Sequence, residues 1–216
     1  MGNISIDKTL KNLEKNNFKV TYFETAKEIL PYLSSVMRER ATVAVGGSQS
    51  LVQTKVLDFL RSNEYAFFDR YQEGVNVRKV FLDSFSAEYY FSSANAITEE
   101  GEIYNIDGTG NRIACITYGP EHVFLIVSTK KIVKNLKEAA LRVKNIAAPL
   151  NAKRLMLNTP CVKLGHCIKE NIDSEQLMAN GQPYCPQSIC SFTQILSRQC
   201  IKNRIEVILV NEEFGY

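Results

Sequence analysis

Residues 42–51, Thr-Val-Ala-Val-Gly-Gly-Ser-Gln-Ser-Leu, decide how the chain is read. Thr42 to Val45 has the composition of a short buried strand, and Gly46 and Gly47 allow a tight turn. Ser48 then opens a helical pattern carried by Leu51, Val52, Val56, Leu57 and Leu60. A strand that passes through glycines into a helix is the repeating unit of an α/β sheet. The flanking segments continue the alternation. Ile6, Leu10 and Leu13 share one face of a helix over 4–16, with Asp7 near its start where an acid suits the helix dipole. Phe18 to Phe23 alternates aromatic or branched residues with Lys19 and Thr21, and Thr25 caps a helix whose inward set is Ile29, Leu33, Val36 and Met37.

Downstream, strands are expected over 65–68, 88–92, 103–106, 123–127 and 204–210. Helices are expected over 77–85, 111–118 and 134–150, the last ended or kinked by Pro149. This order predicts an α/β fold with a mainly parallel open sheet and helices on both faces. Its parts are expected to be a core over 1–157, a cysteine-rich insertion over 158–192, and a helix or strand over 193–216 that returns to the core.

With 45% hydrophobic residues in 216, the chain can bury a sizeable core without disulfide staples. The net charge of +3 is spread along the sequence, which argues against a nucleic-acid binder. The longest unbroken aliphatic or aromatic run is Val123 to Val127, against about 20 residues for a membrane helix, so no membrane span is expected. The opening MGNISIDKTL lacks a basic-then-apolar secretory run, and Ile6 stands where a myristoylation motif needs Ser or Thr. The expected compartment is cytoplasmic, with thiols reduced or bound to metal.

Ligands of open α/β sheets sit beyond the carboxyl ends of the strands, which directs attention to two glycine turns. In Gly46-Gly47-Ser48-Gln49-Ser50, free N–H groups at a helix start suit an anion, and Ser48 or Ser50 can cap the helix or bind a phosphate oxygen. The motif lacks the lysine of a Walker loop and the third glycine of a dinucleotide fingerprint, and a plain strand-to-helix turn has the same composition. In 107–112, Asp-Gly-Thr-Gly-Asn-Arg, the fork of Arg112 suits a carboxylate or phosphate. Asp107 would hold Arg112, orient an amide or accept from a substrate hydroxyl. A structural Asx-turn is the alternative. The candidate ligand-binding set is Gly46, Gly47, Ser48, Asn95, Thr98, Asp107, Gly108, Gly110, Asn111 and Arg112. Glu99 and Glu100 are the candidate catalytic carboxylates, of which one should enter a cleft because neighbours on a strand face opposite ways.

Cys161, Cys167, Cys185 and Cys190 fall within thirty residues, whereas Cys115 and Cys200 stand alone. Four thiolates suit zinc or an iron–sulfur cluster, although the spacing is looser than paired C-x-x-C, and unmetallated thiols are the alternative. His166 is a substitute ligand, and with Cys167 it forms the one adjacent Cys-His pair.

Several stretches together resemble the short, single-domain branch of the LUD-domain, or lactate-utilisation, family. They are Asn95-Ala96-Ile97-Thr98-Glu99, Asn105 through Arg112, Val45-Gly46-Gly47-Ser48, Phe68-Asp69-Arg70-Tyr71, Tyr118-Gly119-Pro120, Lys131-Ile132-Val133, Ala147 through Arg154 and Thr159-Pro160-Cys161. The resemblance implies a fold similar to the sugar-phosphate isomerase and CoA-transferase-like group, and a link to lactate oxidation beside iron–sulfur oxidoreductase subunits. It also implies a C-x5-C-x2-C cluster followed closely by a last cysteine. Here Glu170 occupies the third position, so either Cys185 supplies that thiol or the metal site has become a loop. Two functions follow as expectations. The first is an enzyme acting on a small anionic metabolite, a hydroxy or keto acid, with Glu99-Glu100-Gly101 similar to the nucleophilic glutamate of CoA-transferases. The second is a non-catalytic accessory docking on an iron–sulfur oxidoreductase subunit through the cysteine segment.

Overall fold

The structure is a computed structural model that describes residues 4–62, 65–168, 185 and 187–216. Glu170 and the middle of the cysteine segment lie outside the described residues. The chain begins with α1 (Ile6–Lys15), whose cap Ser5 accepts from Lys8 N at 3.2 Å, and β1 (Lys19–Phe23). A capping box of Thr25 and Glu28 opens a 3-10 turn into α2 (Ile29–Val36), which leads to β2 (Thr42–Val45). The helical pattern after Ser48 forms two helices, α3 (Gln49–Gln53) and α4 (Val56–Ser62), because Lys55 adopts φ +62 between them. Then come β3 (Ala66–Phe68), α5 (Val77–Asp83), β4 (Tyr89–Ser92), β5 (Ala96–Thr98) and β6 (Ile103–Asp107). Next are α6 (Asn111–Thr117), β7 (His122–Ser128) and β8 (Ile132–Val133).

The long helix expected to end or kink at Pro149 continues beyond it. It comprises α7 (Leu136–Arg142), a π turn over Val143–Ala147, and α8 (Ala148–Arg154). Pro149 falls in the first turn of α8, where its fixed φ is already helical, and the wide turn before it absorbs the missing donor. The last described elements are α9 (Pro160–Leu164), β9 (Phe192–Leu196) and β10 (Ile205–Val210). Residues 193–216, expected to return as helix or strand, thus return through two strands.

Six strands form an entirely parallel sheet in the order β1-β10-β7-β4-β2-β3. Its central strands alternate between two cores. Val123, Leu125 and Val127 of β7, with Ile205, Val207 and Leu209 of β10, face one apolar cluster that includes Leu13 of α1 and Ile116 of α6. Phe124, Ile126, Ile208 and Val210 face the other, which includes Ile29 and Leu33 of α2 and Leu60 of α4. Helices therefore cover both faces, each buried branched or aromatic side chain contributing about 1.5–3 kcal/mol.

A second sheet, β8-β5-β6-β9, was not foreseen; β5 pairs parallel with β8, while β6 runs antiparallel to β5 and β9. It packs against Ala139, Ala140 and Val143 of the α7 region. The chain crosses from the first sheet to the second through Ser93-Ala94-Asn95, directly beside the cleft described next. Among the described residues no helix is long and apolar enough to cross a membrane.

Candidate functional site

The carboxyl ends of successive strands bring their following residues to one place. Gly47 and Ser48 follow β2, Arg70 and Tyr71 follow β3, Ser93 to Asn95 follow β4, Asp107 ends β6, and Lys131 comes shortly after β7. Together with Ser50, Asn151, Arg154, Ile189 and Tyr216 they line a cleft of about 320 Å³. Of the ligand-binding set read from the sequence, Gly47, Ser48, Asn95, Asp107, Gly108, Asn111 and Arg112 line this cleft.

The other candidates do not. Gly46 lies beneath it, where a Cβ would come within 2.7 Å of Arg112 Cγ and 2.9 Å of Tyr90 Oη; it is the space for the arginine stem that requires glycine. Gly110 takes φ +82 as the cap residue of α6 and packs against Phe192. Thr98 is buried and turned to Glu102, donating to its Oε2 at 3.0 Å and accepting from its N–H at 3.1 Å.

Glu99 and Glu100, the candidate catalytic carboxylates, are not among the residues that line the cleft. Glu99 Oε1 accepts from Ser5 N at 2.7 Å, and Glu100 Oε1 accepts from Lys8 Nζ at 2.6 Å. Both carboxylates therefore secure the start of α1, which also matches the positive end of that helix's dipole. Gly101 between the strands has φ +79, and a Cβ there would lie 2.6 Å from the backbone of Asn12 and Leu13. This close approach aims the turn at α1 and away from the cleft.

Arg112 lines the cleft with its guanidinium turned to four protein oxygens. Nη1 donates to Ser93 O at 3.0 Å and Asn105 Oδ1 at 2.9 Å, and Nη2 donates to Ile106 O at 2.7 Å and Asn95 Oδ1 at 3.1 Å. Its fork is spent on the protein. Burial lowers its pKa, opposed by Asp107, whose Oδ2 lies 3.7 Å from Nε. Asp107 Oδ1 meanwhile accepts from Thr109 N at 3.2 Å and Gly110 N at 3.1 Å, the Asx-turn alternative.

Two further basic side chains, buried Lys131 and half-buried Arg142, complete the support of the same turn. Lys131 Nζ donates to Ala94 O at 3.3 Å, and Arg142 Nη1 donates to Asn95 O at 2.7 Å. Three consecutive carbonyls, of Ser93, Ala94 and Asn95, thus each accept from a different basic side chain. Sequence reading missed Lys131, Arg70 and Arg154. Their signal was available in principle, since Arg70 and Lys131 follow strands just as the glycine turns do.

Arg70 lies over the rings of Phe81 and Tyr71, with its guanidinium carbon 4.6 and 5.4 Å from their centroids. Arg154 donates to Asn151 Oδ1 at 2.8 Å and Tyr216 Oη at 2.8 Å. Neither arginine has a carboxylate partner among the described residues. The lining residues include Arg70, Arg112, Lys131 and Arg154 but Asp107 alone among acids, so the cleft favours an anion.

The cysteine segment adjoins this cleft. Ile189 lines it, and a Cβ on Gly108 would come 3.2 Å from Ile189 Cα. Burial, then Cys167, Cys161 and Cys185, pushes the Cys190 thiol up to about 12, with Lys144 opposing. Burial and Cys161 also raise Cys185. The four thiols therefore share a neighbourhood. Among the described residues, however, no group of three or more His, Cys, Asp or Glu is arranged to hold a metal ion. His166 Nδ1 instead lies 3.0 Å from Cys167 O. Cys115 is an isolated buried thiol held at about 11 by desolvation, and Cys200 is exposed.

A family model described as the LUD domain matches residues 6–210. A crystal structure of a DUF162 family protein from Deinococcus radiodurans aligns over 96% of this chain and 99% of that one, with a TM-score of 0.50 and 12% identity. At that identity the likeness shows the fold. No curated protein matches the chain.

Proposed function

The chain belongs to the LUD-domain family, and on that premise we propose that it binds a small anionic metabolite, a short hydroxy or keto acid, in the cleft at the strand ends. The lactate-utilisation link implied by the family resemblance supplies the metabolite class. The excess of Lys131, Arg70, Arg112 and Arg154 over Asp107 is the observation that carries the reading. Because Arg112 is committed to the protein, Arg70 and Arg154 are the groups that meet the ligand's anionic end, and the N–H groups of the Gly47-Ser48 turn assist.

A thermal-shift comparison of lactate, pyruvate, their uncharged amides and a triose phosphate tests the proposal. Ligand at a hundred times its Kd should stabilise the fold by about 2.7 kcal/mol. Arg70→Ala should abolish the shift. An equal response to the amides, or no response to any anion, would overturn it.

The mutual influence of Cys161, Cys167, Cys185 and Cys190 favours a second reading, in which the segment takes up an iron–sulfur cluster or zinc and docks on an iron–sulfur oxidoreductase subunit. Metal content of anaerobically purified protein, with Cys161→Ser as control, decides it. Stoichiometric metal lost in the variant supports the reading, and equal metal content in the two proteins removes it.

A further inference from the structure

Lys131 has surroundings that a purely structural lysine does not need. It closes a 3-10 turn over Thr129–Lys131, lines the cleft, and is 2% exposed. Its Nζ donates to Ser50 Oγ at 3.0 Å, Ser93 Oγ at 3.2 Å and Ala94 O at 3.3 Å, all neutral oxygens. The two serine hydroxyls are themselves 3.1 Å apart. Among the described residues no carboxylate is within ion-pair distance of Nζ. The charged groups acting on it are Arg142 of α7 and Arg112 of α6.

A buried ammonium held for stability gains from a carboxylate, whereas burial beside other cations favours the neutral amine, whose lone pair is nucleophilic. Desolvation first, then Arg142 and Arg112, bring the Lys131 pKa down to about 7.

We infer that Lys131 is an amine nucleophile that forms an imine with the carbonyl of a short compound carrying a carboxylate or phosphate, with Ser50 and Ser93 relaying protons. This deepens the anion-binding reading of the cleft and rests on it. Arg70 or Arg154 holds the anionic group while the carbonyl carbon meets Nζ. The nitrogen lone pair forms the N–C bond, and the carbonyl π pair moves to oxygen, which takes the proton that nitrogen gives up. The resulting carbinolamine then loses that oxygen as water after a second protonation, leaving the protonated imine. Overall the ammonium and the carbonyl become an iminium and water, with no change in oxidation state.

The test incubates the full chain with pyruvate or with dihydroxyacetone phosphate, reduces with borohydride, and reads intact and peptide masses. The two compounds tell a carboxylate from a phosphate as the anchoring group. One reduced adduct per chain, on the Lys131 peptide and absent in Lys131→Met, is expected. Should Lys131→Met fail to fold, the Ser50→Ala/Ser93→Ala pair keeps the lysine and should slow trapping on the order of a hundredfold. Adducts scattered over exposed lysines, or none at Lys131 with either compound, overturn the inference. A compound that raises the melting temperature without forming an adduct overturns the imine and leaves anion binding standing; neither shift nor adduct overturns both.

Discussion

Replacing Arg112 with methionine separates a residue that holds the protein from one that holds a ligand. Methionine matches the arginine stem as far as Nε, so the change keeps the apolar stem, removes the hydrogen-bonding head and leaves its space empty. Four acceptors lie within 3.1 Å of it: Ser93 O, Ile106 O, Asn95 Oδ1 and Asn105 Oδ1. The asparagine oxygens keep other donors, since Asn95 Oδ1 also accepts from Ile106 N at 2.8 Å and Asn105 Oδ1 from Asn95 N at 3.3 Å. The two backbone carbonyls carry the loss, at about 1–3 kcal/mol for each acceptor left unsatisfied. Relief from burying a charge offsets part of this, so a net loss of about 2–4 kcal/mol is expected. For a domain of this size that is a fall of roughly 4–16 °C in melting temperature. Urea unfolding followed by circular dichroism should show a lower midpoint with an unchanged slope. A variant as stable as the parent that no longer binds anions would refute the argument and return Arg112 to the ligand.

Two further predictions test the assignments around the cleft. Glu99→Gln should weaken the fastening of α1, because Ser5 N loses a charged acceptor worth about 1.5–3 kcal/mol, while anion binding measured by calorimetry stays unchanged; loss of binding would place Glu99 back in the site. The second concerns pH. Burial beside Arg142 and Arg112 lets folded Lys131 give up its proton near about 7, whereas the unfolded chain keeps its proton to about 10.4, so unfolding between these values takes up a proton. Rising pH therefore stabilises the fold through this group, by at most about 1.4 kcal/mol per unit. Cys115 and Cys190, raised to about 11 and about 12, act in the opposite sense once unfolded thiols ionise above about 8.5. The window that isolates Lys131 is thus about pH 7 to 8.5, and the stability of the parent relative to Lys131→Met should climb across it. A flat difference would remove the buried amine.

The six-strand sheet was legible because its central strands bury both faces. β7 reads as an unbroken apolar run over 123–127, and β10 departs from one only at Glu206. The second sheet was not, since β5 has three residues and β8 two, too few to show a period. The cleft was half legible: glycines mark turns locally, so Gly47 and Gly108 stood out. Lys131, Ser50 and Ser93 meet across 38 to 81 positions, and no local pattern records that meeting. For Arg112, sequence shows donors without showing which acceptors the fold delivers to them. The placement of Glu99 and Glu100 is hidden for a similar reason. Their direction is set by the left-handed Gly101 against α1, a contact nearly ninety residues distant in sequence.

The Ser93-Ala94-Asn95 crossing gives the molecule an unequal stiffness. The passage between the two sheets is secured by Arg112 from α6, Lys131 from beyond β7 and Arg142 from α7, so three separate parts of the chain must yield together before the angle between the sheets can change. Arg70 and Arg154 are held more lightly: Arg70 rests on aromatic rings, and Arg154 meets side-chain oxygens of Tyr216 and Asn151. Adjustment to an incoming molecule is therefore expected of these two arginines, while the crossing that Lys131 helps to fasten keeps its angle.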